Sequence, residues 1–295
     1  MTADRGTLVL ALALTPGIGG KTIARALVRH DLYRRSPAEF LTLSAEVLLE
    51  EYKFKKAQAA RWVEERQSRW AEAEKVREDL VGKGVRVVTA ADDHYPSLLE
   101  AMDSDPPGVL FLYGNERLLN TATFTVLASR HGSEQAMREI ERMTEDGVLA
   151  GETLVTGHDT PEYQRAAVVP LRWGAPRILV FDTGFQHALG EDLTEEPFRA
   201  ARLWRYSFDP RTDLAVSAVP PDRSFHLNGN KVRDRLIAGL ARRLDFAFVA
   251  AGRNMERVLL SALKAGRPVR VAETVPNYDQ YLAQGARLVF LGDGK

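Results

Sequence analysis

The chain has 295 residues, enough to bury a sizeable core, and its 45% hydrophobic and 27% charged residues are the balance of a soluble globular protein. Forty Lys and Arg face forty Asp and Glu, so the formal net charge is zero; bulk attraction to nucleic acid is excluded, and a local basic patch is left open. There is no cysteine, which rules out disulfides, thiol nucleophiles and cysteine metal sites.

Residues 1 to about 82 read as helical. The apolar run Leu8 to Leu14 is too short to span a membrane, and the N-terminus has no signal-peptide pattern; a cytoplasmic location is expected. The run leads into Thr15-Pro16-Gly17-Ile18-Gly19-Gly20 and a helix from Lys21 that places Ile23, Leu27 and Val28 on one face. This is a helix-hairpin-helix pattern. Turn amides around Gly17 and Gly19, with the cation of Lys21, are candidates for a DNA phosphate; a tight helix corner would need the same glycines. From Ala45 to Gly82 charges alternate in sign, with Trp62, Trp70 and Val76 as candidates for the inward face. Gly82-Lys83-Gly84 breaks the helix, giving an expected helical domain at 1–82 and a second domain at 83–295.

Beyond that break the rhythm changes to short apolar strands. They are expected at Val85–Thr89, Val109–Tyr113, Thr123–Ala128, Thr153–Thr156, Arg177–Phe181, Asp213–Val219, Asp245–Ala251, Pro268–Val271 and Arg287–Leu291. Helices alternate with them, as at Glu134 to Asp146 and Pro161 to Trp173. The fold class is therefore α/β: right-handed βαβ units building an extended Rossmann-like, mostly parallel, doubly wound sheet behind a small all-helical domain. In such sheets the ligand lies beyond the carboxyl ends of the strands. Here those ends carry Ser129-Arg130, Gly157-His158 and Asp182-Thr183-Gly184.

The chemistry is read as anion binding. No Gly-x-Gly-x-x-Gly follows a strand and no P-loop is present, so ordinary dinucleotide or nucleoside-triphosphate binding lacks its fingerprint. The six histidines show no metal-ligand spacing, and no cofactor or metal is expected. Asp159 is read as a helix cap and Asp182 as a turn residue, and no catalytic residue is assigned. The stretch Phe225 to Leu240 opens with Asn228-Gly229-Asn230, continues with Lys231, Arg233 and Arg235, and becomes apolar before the next strand. A cationic helix start at a sheet edge is a place to hold phosphate. With Ser129 and Arg130 it forms the candidate site; ion pairing is the bland explanation for the same arginines.

The order of these pieces resembles the DNA-processing protein A family (DprA, also called Smf). Leu14-Thr-Pro-Gly-Ile-Gly19 looks like its N-terminal hairpin, and His94-Tyr95-Pro96 followed by Asp105-Pro106-Pro107 is similar to its entry to the sheet. Ala128-Ser129-Arg130 stands where the family has Gly-Ser-Arg, and Thr156-Gly157 where it has Ser-Gly. Arg233-Asp234-Arg235-Leu-Ile-Ala-Gly-Leu240 is similar to its Arg-Asn-Arg-Ile-Ile-Ala-Gly-Leu, and Ala265-Gly266-Arg267-Pro268-Val269 to its Gln-Gly-Arg-Pro-Val. Three departures are acidic or change side-chain type: His158-Asp159-Thr160 follows Gly157, Asp234 replaces Asn, and Asn230-Lys231 replace Phe-Pro. The family's C-terminal winged helix is expected to be absent.

The resemblance implies a single-stranded DNA-binding protein of DNA processing, uptake or recombination, working without catalysis, as a homodimer, with a RecA-type recombinase as a possible partner and no membrane. It nominates Ser129, Arg130, Gly157, His158, Asn230, Lys231, Arg233 and Arg235 for DNA or phosphate, with Phe225 or Phe185 for base stacking. The alternative is a nucleotide-ligand binder or N-glycosidic hydrolase using the same pocket, with His158 or Asp159 essential. A third reading is a scaffold whose helical domain binds protein.

Overall fold

A computed structural model of the chain describes residues 4–103, 105–224 and 229–289. They form two compact units, one of Met1–Tyr95 with Ser104–Leu112, the other of Pro96–Asp103 with Tyr113–Lys295. This division differs from the break expected at Gly82, because the first strands cluster with the helices.

In the first unit, α1 (Arg5–Leu14), α2 (Gly20–Tyr33), α3 (Pro37–Phe40), α4 (Ala45–Glu50) and α5 (Lys56–Val81) precede β1 (Val85–Thr89) and the residues up to Leu112 of its neighbour β2 (Val109–Gly114). Asp4 caps α1 by accepting from the Gly6 amide at 3.1 Å. Phe40 anchors the core, with ring centroids 4.9 Å from Tyr52 and 5.8 Å from Trp62. Of the expected inward residues, Trp62 is buried, while Trp70 and Val76 are half-buried. Val28 is 69% exposed. Five residues beyond Ile23 place it more than a quarter turn past the core-facing row at 3.6 residues per turn.

The second unit contains α6 (Ser97–Met102), β3 (Thr123–Ala128), α7 (Glu134–Leu149), β4 (Thr153–Thr156), α8 (Pro161–Arg172), β5 (Arg177–Phe181), α9 (Phe185–Leu189), α10 (Arg199–Arg202), β6 (Leu214–Ser217), α11 (Gly229–Leu240), β7 (Arg243–Phe248), α12 (Asn254–Lys264), β8 (Val269–Val271), α13 (Tyr278–Leu282) and β9 (Arg287–Leu288). Its strands lie in the order β6-β5-β4-β3-β7-β8-β9, with every neighbouring pair in this order parallel. All residues of β3, β4 and β5 are buried, as central strands covered on both faces require. The chain steps one way from β3 to β6, then returns to place β7, β8 and β9 on the other side. The switch point lies between β3 and β7. Among the described residues no helix is long and apolar enough to cross a membrane.

Candidate functional site

At the switch point the two central strands come out of step. Register runs evenly from Phe124 opposite Arg243 to Leu127 opposite Phe246, then shifts so that Ala128 faces Phe248. Such a bulge bends the strand end and re-aims side chains. Beyond it lies a cavity of about 640 Å³. Ser129 ties the two strand ends together: its amide donates to the Phe248 carbonyl and its Oγ accepts from the Ala250 amide, both at 2.9 Å. It is buried and builds the cavity wall. Arg130 lines the cavity with 57% of its side chain exposed. His131 follows in the left-handed region at φ 64°, its amide donating to Glu162 at 2.9 Å.

Two helix starts complete the rim. Asn230 and Lys231 come from the first turn of α11, Arg253 is the N-cap of α12 and Asn254 its first residue. Lys231 and Arg253 are exposed and have no carboxylate partner among the described residues. Helix N-termini leave backbone amides directed outward and carry partial positive charge, so cation and dipole add at this rim. Phe225, a candidate for base stacking, lies outside the described residues.

Arg233, which the resemblance nominates together with Arg235, is a floor residue. Its side chain is 2% exposed. Nε and Nη2 donate to Asp234 Oδ1 at 3.0 and 2.9 Å, Nη1 pairs with Asp159 and stands 3.5 Å from Asp182, and the guanidinium lies 4.9 Å above the Tyr163 ring. Asp234 also accepts from the Tyr163 hydroxyl at 2.8 Å and from Asn254 at 2.7 Å. One guanidinium is thus shared by three carboxylates, and as it stands it has no face left for a phosphate. Burial alone would lower the Arg233 pKa, but Tyr163, Asp234 and Asp159 outweigh it and raise it. Burial raises Asp234 and Asp182 above the ordinary carboxylate value, with Arg233 opposing in each case.

Asp159 therefore has a different job from the one its sequence position implied. Thr160 caps α8, its Oγ1 accepting from the Tyr163 amide at 3.3 Å. Asp159 bridges Arg233 and, at 3.6 Å, Arg130. Asp182 likewise belongs to the arginine cluster. His158 does not line the cavity. Its ring centroid is 4.7 Å from that of Phe181, its Nδ1 is buried without a hydrogen-bond partner, and burial with Arg233 nearby lowers its pKa to about 4. It stands neutral at pH 7. Gly157 packs under Tyr163, where a Cβ would meet ring carbon Cδ2 at 2.8 Å; close approach, and no contact with the cavity, accounts for the glycine.

The remaining candidates separate from the cavity. Arg235 is 40% exposed and pairs with Asp103 at 3.1 Å. Phe185 is fully buried, in edge contact with Phe181 at 6.0 Å, and as a core residue it offers no face for a base. In the first unit, the Gly17 carbonyl accepts from Gln58 at 2.6 Å, Gly19 caps α2, and the Lys21 amide donates to Asp105 at 2.6 Å. One α2 amide expected to face a phosphate is already held by a carboxylate of the chain, while the Lys21 side chain is exposed.

The family model described as DNA recombination-mediator protein A matches residues 86–251, more than half of the chain. This chain belongs to the DNA recombination-mediator protein A family. Among solved structures, the X-ray structure of DNA processing protein A from Streptococcus pneumoniae is similar in fold, with a TM-score of 0.71 at 20% identity, covering 98% of this chain and 95% of that one. The DNA processing protein A of Helicobacter pylori, described for its single-stranded DNA binding mode, is similar with a TM-score of 0.53 at 16% identity, covering 71% of this chain and 93% of that one. No curated protein matches. Family membership agrees with the Rossmann-like sheet described above and gives the chain a role in DNA processing.

Sequence reasoning missed Arg253, Asn254, Phe248 and Tyr163. A signal for the first two was present: Gly252-Arg253-Asn254 stands between a strand and a helix, as Ser129-Arg130 does. Tyr163 and Phe248 carry no such mark, since an aromatic residue in an apolar run reads as core.

Proposed function

We propose that this chain binds single-stranded DNA in the switch-point cavity, without catalysis, as a mediator of DNA processing or recombination in the cytoplasm. One observation carries the reading. Lys231 and Arg253 stand at helix N-termini around one cavity and, among the described residues, have no carboxylate partner, and Arg130 joins them with more than half of its side chain exposed. A chain with no net charge has in this rim the local basic patch that a polyanion needs. The single-stranded DNA binding described for the Helicobacter pylori protein supports the choice of polymer.

On this reading Arg130, Lys231 and Arg253 hold phosphates, with Asn230 beside them. Ser129, Gly157 and Arg233 shape the cavity and hold its floor, and His158 and Arg235 act at a distance. Asp159 is engaged by two arginines, and His158 is buried against Phe181 with its Nδ1 unpartnered and does not line the cavity, which favours binding over an N-glycosidic hydrolase. The family's description as a recombination mediator supports a RecA-type recombinase as protein partner, and a homodimer is proposed with it. Fluorescence anisotropy of a labelled oligothymidylate at low salt, with duplex as competitor, tests the reading. Tight, duplex-resistant binding that weakens at least tenfold in Arg130→Ala plus Lys231→Ala is expected. Unchanged affinity in that double variant would refute it.

A further inference from the structure

The rim accounts for phosphates, yet about 640 Å³ is far more room than a phosphate needs, and one wall is aromatic. That wall is Phe248, the last residue of β7. Along the strand Leu244, Asp245, Phe246 and Ala247 are fully buried, and Val249 beyond it is 1% exposed; Phe248 alone in this run is half-open. The register shift at Leu127 and Ala128 sets it directly opposite Ala128, at the mouth of the cavity. Part of the ring is held from behind, packed against the core cluster that includes Ile140 and Met143. Gly132 packs beside the ring, where an added Cβ would lie 3.6 Å from ring carbon Cδ1. Among the described residues the other phenyl ring lining the cavity, that of Tyr163, is 4% exposed and committed to Asp234. Phe248 is thus a fixed ring, braced on one side and open to a cavity rimmed by Arg130, Lys231 and Arg253.

We propose that Phe248 is the base-stacking platform of this cavity: one nucleobase of a bound single strand lies against the ring while its neighbouring phosphates sit on the three cations. Base–aromatic stacking tolerates any sequence because every base has a π face. The inference rests on the single-strand reading above and adds a base contact to it.

The test separates the two. An oligothymidylate and an abasic strand of the same length are titrated against the wild-type chain, Phe248→Leu and Phe248→Trp, with melting temperatures recorded alongside. Phe248→Leu keeps apolar bulk and removes the π face. It is expected to lose roughly 5- to 150-fold in affinity for oligothymidylate and nothing for the abasic strand, while Phe248→Trp retains affinity. Equal affinity of wild type and Phe248→Leu for oligothymidylate would overturn the proposal and leave phosphate binding standing. So would equal losses on both strands, which mark a structural defect, or loss in a normally melting Phe248→Trp. Failure of the wild-type chain to bind either strand would sink both readings.

Discussion

Asp234 holds Arg233 in place: both arginine Nε and Nη2 donate to the same carboxylate oxygen, at 3.0 and 2.9 Å. The acid that weakens the local positive field in the sequence is thus the clamp for a buried cation. With Tyr163 and Asn254 also on Asp234, the pair ties the starts of α11, α8 and α12 together beneath the cavity. It positions the rim.

Truncating the clamped arginine is therefore a stability change before it is a binding change. Arg233→Ala leaves Asp159, Asp182 and Asp234 facing one another, and breaking a buried pair this way costs about 3–5 kcal/mol. A large fall in the denaturation midpoint is expected, whereas Lys231→Ala and Arg253→Ala, exposed and without an ion pair among the described residues, stay within about 0.5 kcal/mol of wild type. Urea denaturation of the three variants side by side checks the contrast.

Gly157 makes a steric prediction. Gly157→Ala drives a methyl group into the Tyr163 ring, at 2.8 Å from Cδ2, and the ring supports the Arg233 guanidinium. Overpacking of this kind costs about 1–3 kcal/mol. Gly157→Ala combined with Tyr163→Ala should recover part of the steric loss relative to the sum of the single variants, which a double-mutant cycle in urea measures.

Acid sensitivity follows from His158. Its folded pKa is lowered to about 4, against about 6.5 for an ordinary histidine, so between those values the unfolded chain binds the proton and the folded chain does not. Stability from this group is full above about pH 6.5 and falls as pH drops toward 4, by at most about 3 kcal/mol. Asp182 and Asp234 act with the opposite sign: with their folded pKa values raised, the native state takes up their protons before the unfolded chain does as pH falls. Melting temperatures from pH 7.5 to 4.5 should decline more gently in His158→Gln than in wild type. A parallel decline in the two proteins would contradict the assignment.

The hairpin gives a control. With the Lys21 amide donating to Asp105 at 2.6 Å, removing that carboxylate should loosen the first unit by about 1 kcal/mol. Lys21→Ala should change single-strand affinity less than twofold. A loss of tenfold in Lys21→Ala would put the hairpin in contact with DNA after all.

Strand positions were legible because burial on both faces writes itself as short apolar runs: Thr123 to Ala128 and Arg177 to Phe181 fall where the pattern placed them. Element ends were less so; the strand expected to reach Ala251 stops at Phe248, where the bulge ends pairing. The basic start of α11, read from the sequence as a place for phosphate, lines the cavity with Asn230 and Lys231. What sequence could not sort was which cation is free. Arg233 and Lys231 are two residues apart, and the difference between floor and rim comes from Asp159, Asp182 and Tyr163, brought in by other loops. Asp159 reads as a helix cap until the neighbouring Thr160 is seen to do that work. The platform at Phe248 depends on a one-residue register shift that no local pattern records.

Salt dependence of single-strand binding tests the central claim most directly. Each neutralised phosphate on a single strand adds about 0.7 to the slope of log affinity against log salt. Wild type should therefore show a steep slope, and Arg130→Ala plus Lys231→Ala plus Arg253→Ala a slope lower by about 2. A triple variant that melts normally and keeps both the affinity and the slope of wild type would contradict the placement of DNA at the switch-point cavity.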